Sequence, residues 1–154
     1  LHSAGRRKTS NAHFIIVLYS TAKTIFMNKI VKKIFVVDDD EMLSMALEDY
    51  LARKTSHEVY LFNTGEECLE HIEEQPDIII LDYNLNAVKK DAANGLVILE
   101  AIKKLDNNVR IVMLSTHDAT WLILQTVELG AAGYVVKDEN AFDKILSLCE
   151  TTLI

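Results

Sequence analysis

Short apolar runs alternate with longer amphipathic stretches along most of this chain. Ile34-Phe-Val-Val37, Ile78-Ile-Ile-Leu81 and Ile111-Val-Met-Leu114 are unbroken apolar runs. Such runs read as strands buried on both faces of a parallel sheet. With Glu58 to Phe62 and the shorter run at 134–136 they predict five strands, near 33–37, 58–62, 77–81, 110–114 and 134–136. Helical spacing fills the gaps. Leu43, Ala46, Leu47 and Tyr50 recur along 41–53, and Leu96, Leu99 and Ile102 point inward from a helix near 94–105. Asn63 or Thr64 caps a second helix whose first turn carries Glu66 and Glu67 against the macrodipole. Further helices are predicted near 119–129, with Gly130 at its C-terminal cap, and 140–153. The single proline, Pro76, separates the second helix from the third strand. The alternation predicts a doubly wound α/β domain with right-handed crossovers and a five-stranded parallel sheet.

The strand ends carry the chemistry. Asp38-Asp39-Asp40 closes the first apolar run and Asp82 closes the third. Ligands of open α/β sheets bind at the carboxyl ends of the strands, so carboxylates from two strands would share one pocket. Hard oxygen donors there suit Mg²⁺ or Mn²⁺ and phosphate chemistry. An aspartate after a strand also caps a following helix, and that is the reading for Asp40.

The remaining strand ends come in order: Ser115-Thr116 after the fourth run and Lys137 after Gly133-Tyr-Val-Val136. Together with Asp38-Asp39 and Asp82 this ordered set resembles the receiver domain of two-component response regulators, over Lys29 to Ile154. The resemblance implies strand order 2-1-3-4-5 with five helices. It implies Asp82 as phosphoacceptor, Asp38, Asp39 and Asp82 as metal-holding acids, and Asn84 as a ligand through its main-chain carbonyl. Ser115 and Lys137 would contact the phosphoryl group, and Ser115 and Tyr134 would form the switch. The output surface would be the fourth helix, fifth strand and fifth helix. On the fourth helix Trp121, Leu124, Gln125 and Glu128 share the face opposite Ala119, Leu122, Ile123 and Thr126, which marks Trp121 and Leu124 as a docking patch. The implied function is a stand-alone receiver that takes a phosphoryl group from a sensor histidine kinase or histidine phosphotransfer protein and signals by binding a partner or a second copy. It would catalyse only its own phosphoryl transfer and autodephosphorylation.

Three features depart from the family pattern. Leu85 and Asn86 stand where a Met-Pro pair is common, and Val88 to Ala92 lengthen the segment between Asp82 and Gly95. Asp138 stands where a proline often follows the lysine. The lengthened segment could alter access to the pocket or meet a specific partner.

Charge and cysteine usage narrow the setting. The chain has 154 residues and a net charge of −7. The first 26 residues carry four basic groups and no acids, leaving 12 basic and 23 acidic residues, a net of −11, for the rest. That is a poor footprint for direct nucleic-acid binding. Cys68 and Cys149 are read as free thiols in a reducing cytoplasm.

Residues 1–28 stand outside the pattern. Arg6-Arg7-Lys8 followed by Phe14 to Tyr19 has the layout of a secretory signal, yet its apolar stretch is far shorter than the roughly 20 residues of a membrane span. Export would part a phosphoacceptor from its ATP-fed donor. The segment is therefore read as a leader or non-native extension, an anchor being the alternative, with residues 29–154 forming the receiver. Two rival functions fit parts of this pattern. A haloacid-dehalogenase-like phosphatase would place Asp-x-Asp after its first strand, where this chain has adjacent aspartates and no cap domain follows. A receiver-shaped module that is never phosphorylated would not need the intact acid set.

Overall fold

The computed structural model of the protein describes residues 31–85 and 93–151. The expected leader, Asn86, the extra residues 88–92 and residues 152–153 of the last predicted helix lie outside the described residues, and that helix ends at Glu150 with an extended Thr151 as its cap, short of the predicted Leu153. Five parallel strands form one sheet in the order β2-β1-β3-β4-β5: β1 Lys33–Val37, β2 Glu58–Phe62, β3 Ile78–Asp82, β4 Arg110–Ser115 and β5 Gly133–Val136. The helices are α1 Glu41–Lys54, α2 Gly65–Glu70, α3 Gly95–Leu105, α4 Thr120–Glu128 and α5 Ala141–Glu150, with a 3₁₀ turn at Ile72–Glu74. The architecture is the expected doubly wound α/β fold, with β3 starting one residue later than predicted.

Alternation along the central strands divides the core in two. Ile34, Val36, Ile78, Ile80, Val112 and Leu114 face α1 and α5, meeting Leu47, Leu51, Ile145 and Cys149. Phe35, Val37, Ile79, Leu81, Ile111 and Met113 face α2 and α3, meeting Cys68, Ile98, Leu99 and Ile102. Both faces of β1, β3 and β4 are thus covered, which is why these runs are continuously apolar rather than alternating. Burying each such Ile or Leu contributes roughly 1.5–3 kcal/mol. The edge strand β2 remains half exposed.

The helix starts follow cap chemistry. Asp40 caps α1, its Oδ1 accepting from the Leu43 N–H at 3.0 Å. Of the two candidates for α2, Thr64 is the cap and accepts from Glu67. Asn94 precedes α3 rather than belonging to it, and its side chain accepts from Leu96 and Val97. Gly130 ends α4 with φ of +92°, a left-handed conformation that suits glycine. On α1 the helical spacing held for Leu47, but Ala46 faces solvent while Ser44 and Leu51 turn inward. Ala46 and Leu47 are 100° apart on the wheel, and the contact with β2 and α5 selects the Leu47 side.

Candidate functional site

The pairing of β1 with β3 builds the site. Val37 aligns with Leu81, so the next residues, Asp38 and Asp82, emerge side by side at the carboxyl edge of the sheet. Asp38 is 1% exposed and Asp82 2% exposed. Asp39 is half-buried beside them, and one carboxylate oxygen from each of Asp38, Asp39 and Asp82 lies within 4.8 Å of the others. Asp40 is absent from that group and serves the helix.

Lys137 comes from two strands away. Its Nζ lies 2.7 Å from Asp38 Oδ2 and 2.9 Å from Asp82 Oδ1. Burial alone would lower its pKa, but hydrogen bonds and charge from both aspartates hold it above the ordinary lysine value. The converse acts on Asp82. Burial, then the neighbouring Asp38 charge, raises its pKa to about 6 against the pull of Lys137 and of the Asn84 N–H, which donates to Asp82 Oδ2 at 3.0 Å. One ammonium therefore bridges two of the three clustered carboxylates. Such an oxygen-only, net negative cluster fits a hard divalent cation.

The backbone brings in the rest. Gly95 donates from its N–H to Tyr83 O at 2.9 Å, and a Cβ there would lie 2.3 Å from Asp82 O. Only glycine lets α3 start this close to the end of β3. Ser115 ends β4, fully buried, and its Oγ accepts from the His117 N–H at 3.0 Å. Tyr134, partly buried on β5, donates its hydroxyl to His117 O at 2.6 Å. Burial raises the Tyr134 pKa, opposed by the neighbouring Ser115 hydroxyl.

The structure thus gathers Asp38, Asp39, Asp82, Asn84, Ser115 and Lys137 at one edge, with Tyr134 tied to the same loop. Trp121 and Leu124 are elsewhere, on the outer face of α4, 61% and 59% exposed and joined by Val127 at 56%. Leu122 and Thr126 are buried on the opposite face. Asp138, the substitute for proline, accepts from the Asn140 N–H and pairs with Lys144, bracing the turn into α5. Sequence reasoning missed His117 and Tyr83, whose rings meet edge-on at a centroid distance of 5.7 Å. Their only sequence signal is adjacency to Ser115 and Asp82.

Residues 34–149 match the response regulator receiver domain family. The chain is similar to the chemotaxis protein CheY of Bacillus subtilis (strain 168), 26% identical over 122 residues that span 79% of this chain and 97% of that relative. It is 32% identical to the alkaline phosphatase synthesis transcriptional regulatory protein PhoP of the same organism, over 69% of this chain but 42% of that longer protein. Among solved structures it resembles the BeF3-activated DrrB receiver domain, with a TM-score of 0.68, 27% identity and coverage of 79% of this chain and 96% of that one.

Proposed function

Because the chain belongs to the response regulator receiver domain family and so to phosphorylation-based two-component signalling, we propose that it is a stand-alone receiver phosphorylated on Asp82. Lys137 bridging Asp38 and Asp82 beside Asp39 carries this reading. Similarity over 97% of the length of CheY and 82% of the sporulation initiation phosphotransferase F supports the stand-alone form. Residues 29–154 are the receiver and 1–28 lie apart from its function.

The donor is a phosphohistidine on a sensor kinase or a histidine phosphotransfer protein. An Asp82 carboxylate oxygen forms the new bond to phosphorus as the phosphorus–nitrogen bond breaks, and the donor imidazole leaves with the bonding pair. Asp82 is a weak nucleophile, so rate comes from positioning and from neutralising the phosphoryl oxygens. Lys137, already between Asp38 and Asp82, moves its charge onto a phosphoryl oxygen. Ser115 donates a hydrogen bond from its hydroxyl to another. Asp38, Asp39 and Asp82, with the Asn84 carbonyl, would hold Mg²⁺, or Mn²⁺. When bound, that ion offsets the excess carboxylate charge and shields the phosphoryl oxygens.

Signalling follows through Ser115 and Tyr134 to the face formed by α4, β5 and α5, where Trp121 and Leu124 await a protein partner or a second copy. The protein acts in the cytoplasm without binding nucleic acid or spanning a membrane. Among the described residues no helix is long and apolar enough to cross one. Intact mass after incubation with acetyl phosphate and Mg²⁺ tests the proposal. One phosphate, labile to hydroxylamine and absent in Asp82→Asn, is expected. Full labelling of Asp82→Asn would overturn the assignment.

A further inference from the structure

The Ser115 hydroxyl is fully buried and has one proton to give and two lone pairs to fill. His117 approaches it twice. Its main-chain N–H fills one lone pair at 3.0 Å, and its ring Nδ1 lies 3.4 Å from the same oxygen. With Nδ1 unprotonated, that nitrogen can only accept, and the hydroxyls facing it are those of Ser115 and Thr116. The ring also meets Tyr83, the residue after Asp82, edge-on. The main-chain carbonyl of His117 accepts a hydrogen bond from the Tyr134 hydroxyl at 2.6 Å.

We propose that His117 is a positioning residue: in the unphosphorylated protein its imidazole engages the hydroxyl proton of Ser115 and so opposes the rotation that would offer this proton to a phosphoryl group on Asp82. The inference rests on Asp82 being the phosphoacceptor. Phosphorylation has to draw the Ser115 proton away from His117. The imidazole contact exists in one state only and therefore biases the equilibrium between them. The contact is long, and Thr116 Oγ1 shares the nitrogen at 3.4 Å, so the bias is small. Removing it should tighten the phosphorylated-like state by about two- to fivefold, the worth of a weak hydrogen bond. Tyr134 donates its hydroxyl to the carbonyl of His117, a contact separate from the imidazole. The effect of the His117 ring should then persist when the Tyr134 hydroxyl is removed.

The test is titration of the full chain with beryllofluoride and Mg²⁺, followed by amide NMR shifts, in wild type and three variants. His117→Ala removes the ring, His117→Phe keeps a ring on Tyr83 without an acceptor, and His117→Asn restores an acceptor near the Nδ1 position. Ala and Phe should bind about two- to fivefold more tightly, and Asn should return to the wild-type value. The Phe effect should remain in a Tyr134→Phe background. Phe behaving like wild type, Asn behaving like Ala, or loss of the effect with Tyr134→Phe would each overturn the role of His117 while leaving Asp82 as acceptor. Failure of wild type itself to bind would overturn the receiver reading and this inference together.

Discussion

The main-chain N–H of Lys137 donates to the carbonyl of Ser115 at 2.7 Å. This bond extends the β4–β5 ladder one step past Ser115 and Val136, the last aligned pair. The cation and the hydroxyl proposed to meet one phosphoryl group are therefore fixed in register by backbone rather than by each other's side chains. Their spacing depends on sheet geometry, which is stiff, and their approach to Asp82 depends on side-chain rotation alone.

Asp82→Asn should stabilise the protein in the absence of divalent metal. Burial and Asp38 raise the Asp82 pKa to about 6 from 3.8, so the folded state binds a proton more tightly than the unfolded state. Stability from this group is full below the lower value and is lost as pH rises through the upper one. Thermal melts in EDTA should place the variant above wild type at pH 7.5 and level with it near pH 4. Equal melting at pH 7.5 would show that Lys137 already compensates the charge.

The acidic triplet should divide by role. Asp39→Ala removes a hard oxygen and a negative charge from the cluster, and calorimetry should record weaker Mg²⁺ binding. Asp40→Ala should keep metal affinity and lose about 0.5–2 kcal/mol of stability with the α1 cap. The reverse pattern would place the ligand register one residue late.

The thiols give a second pH signature. Burial raises Cys68 to about 12 and Cys149 to about 11, so both stay protonated where an unfolded thiol, near 9.0, ionises. Their contribution to stability is full below that value and declines as pH climbs toward 11 and 12. Iodoacetamide at pH 8 should label the native protein far more slowly than the urea-unfolded chain. Rapid native labelling would mean that α2 or α5 opens readily.

Trp121→Ala should leave acetyl phosphate labelling intact and weaken phosphorylation-dependent association. The indole is 61% exposed beside Leu124 and Val127, and large aromatics of this kind anchor interfaces. As the chain's single tryptophan it reports directly: red-shifted emission at rest and a blue shift on association. Sedimentation with beryllofluoride, alone and with candidate partners, supplies the comparison. A variant that associates as well as wild type would move the interface off α4.

Much of the fold was legible because β1, β3 and β4 are buried on both faces and so stand out as unbroken apolar runs. The inward side of α1 was less so: Ala46 carries too little apolar surface for spacing alone to decide against Ser44. The acids were legible as strand ends. Their side-by-side emergence depends on the Val37–Leu81 register, which no local pattern encodes. His117 was invisible because its contacts arise in the loop after β4, where there is no periodicity to read, and because they join Tyr83, Ser115 and Tyr134 from three strands.

The bond from Gly95 to Tyr83 O closes the stretch between β3 and α3 at its base, and Glu66 ties down Ala93 just before that closure. A stretch whose two feet already touch can lengthen cheaply, since doubling a flexible loop adds only about 0.6 kcal/mol of closure entropy. The extra residues 88–92 need not have displaced Asp82 to be accommodated. This fold can therefore change the length of the segment that follows Asp82, and with it the surface beside the proposed phosphoacceptor, while the carboxylate stays where the sheet puts it.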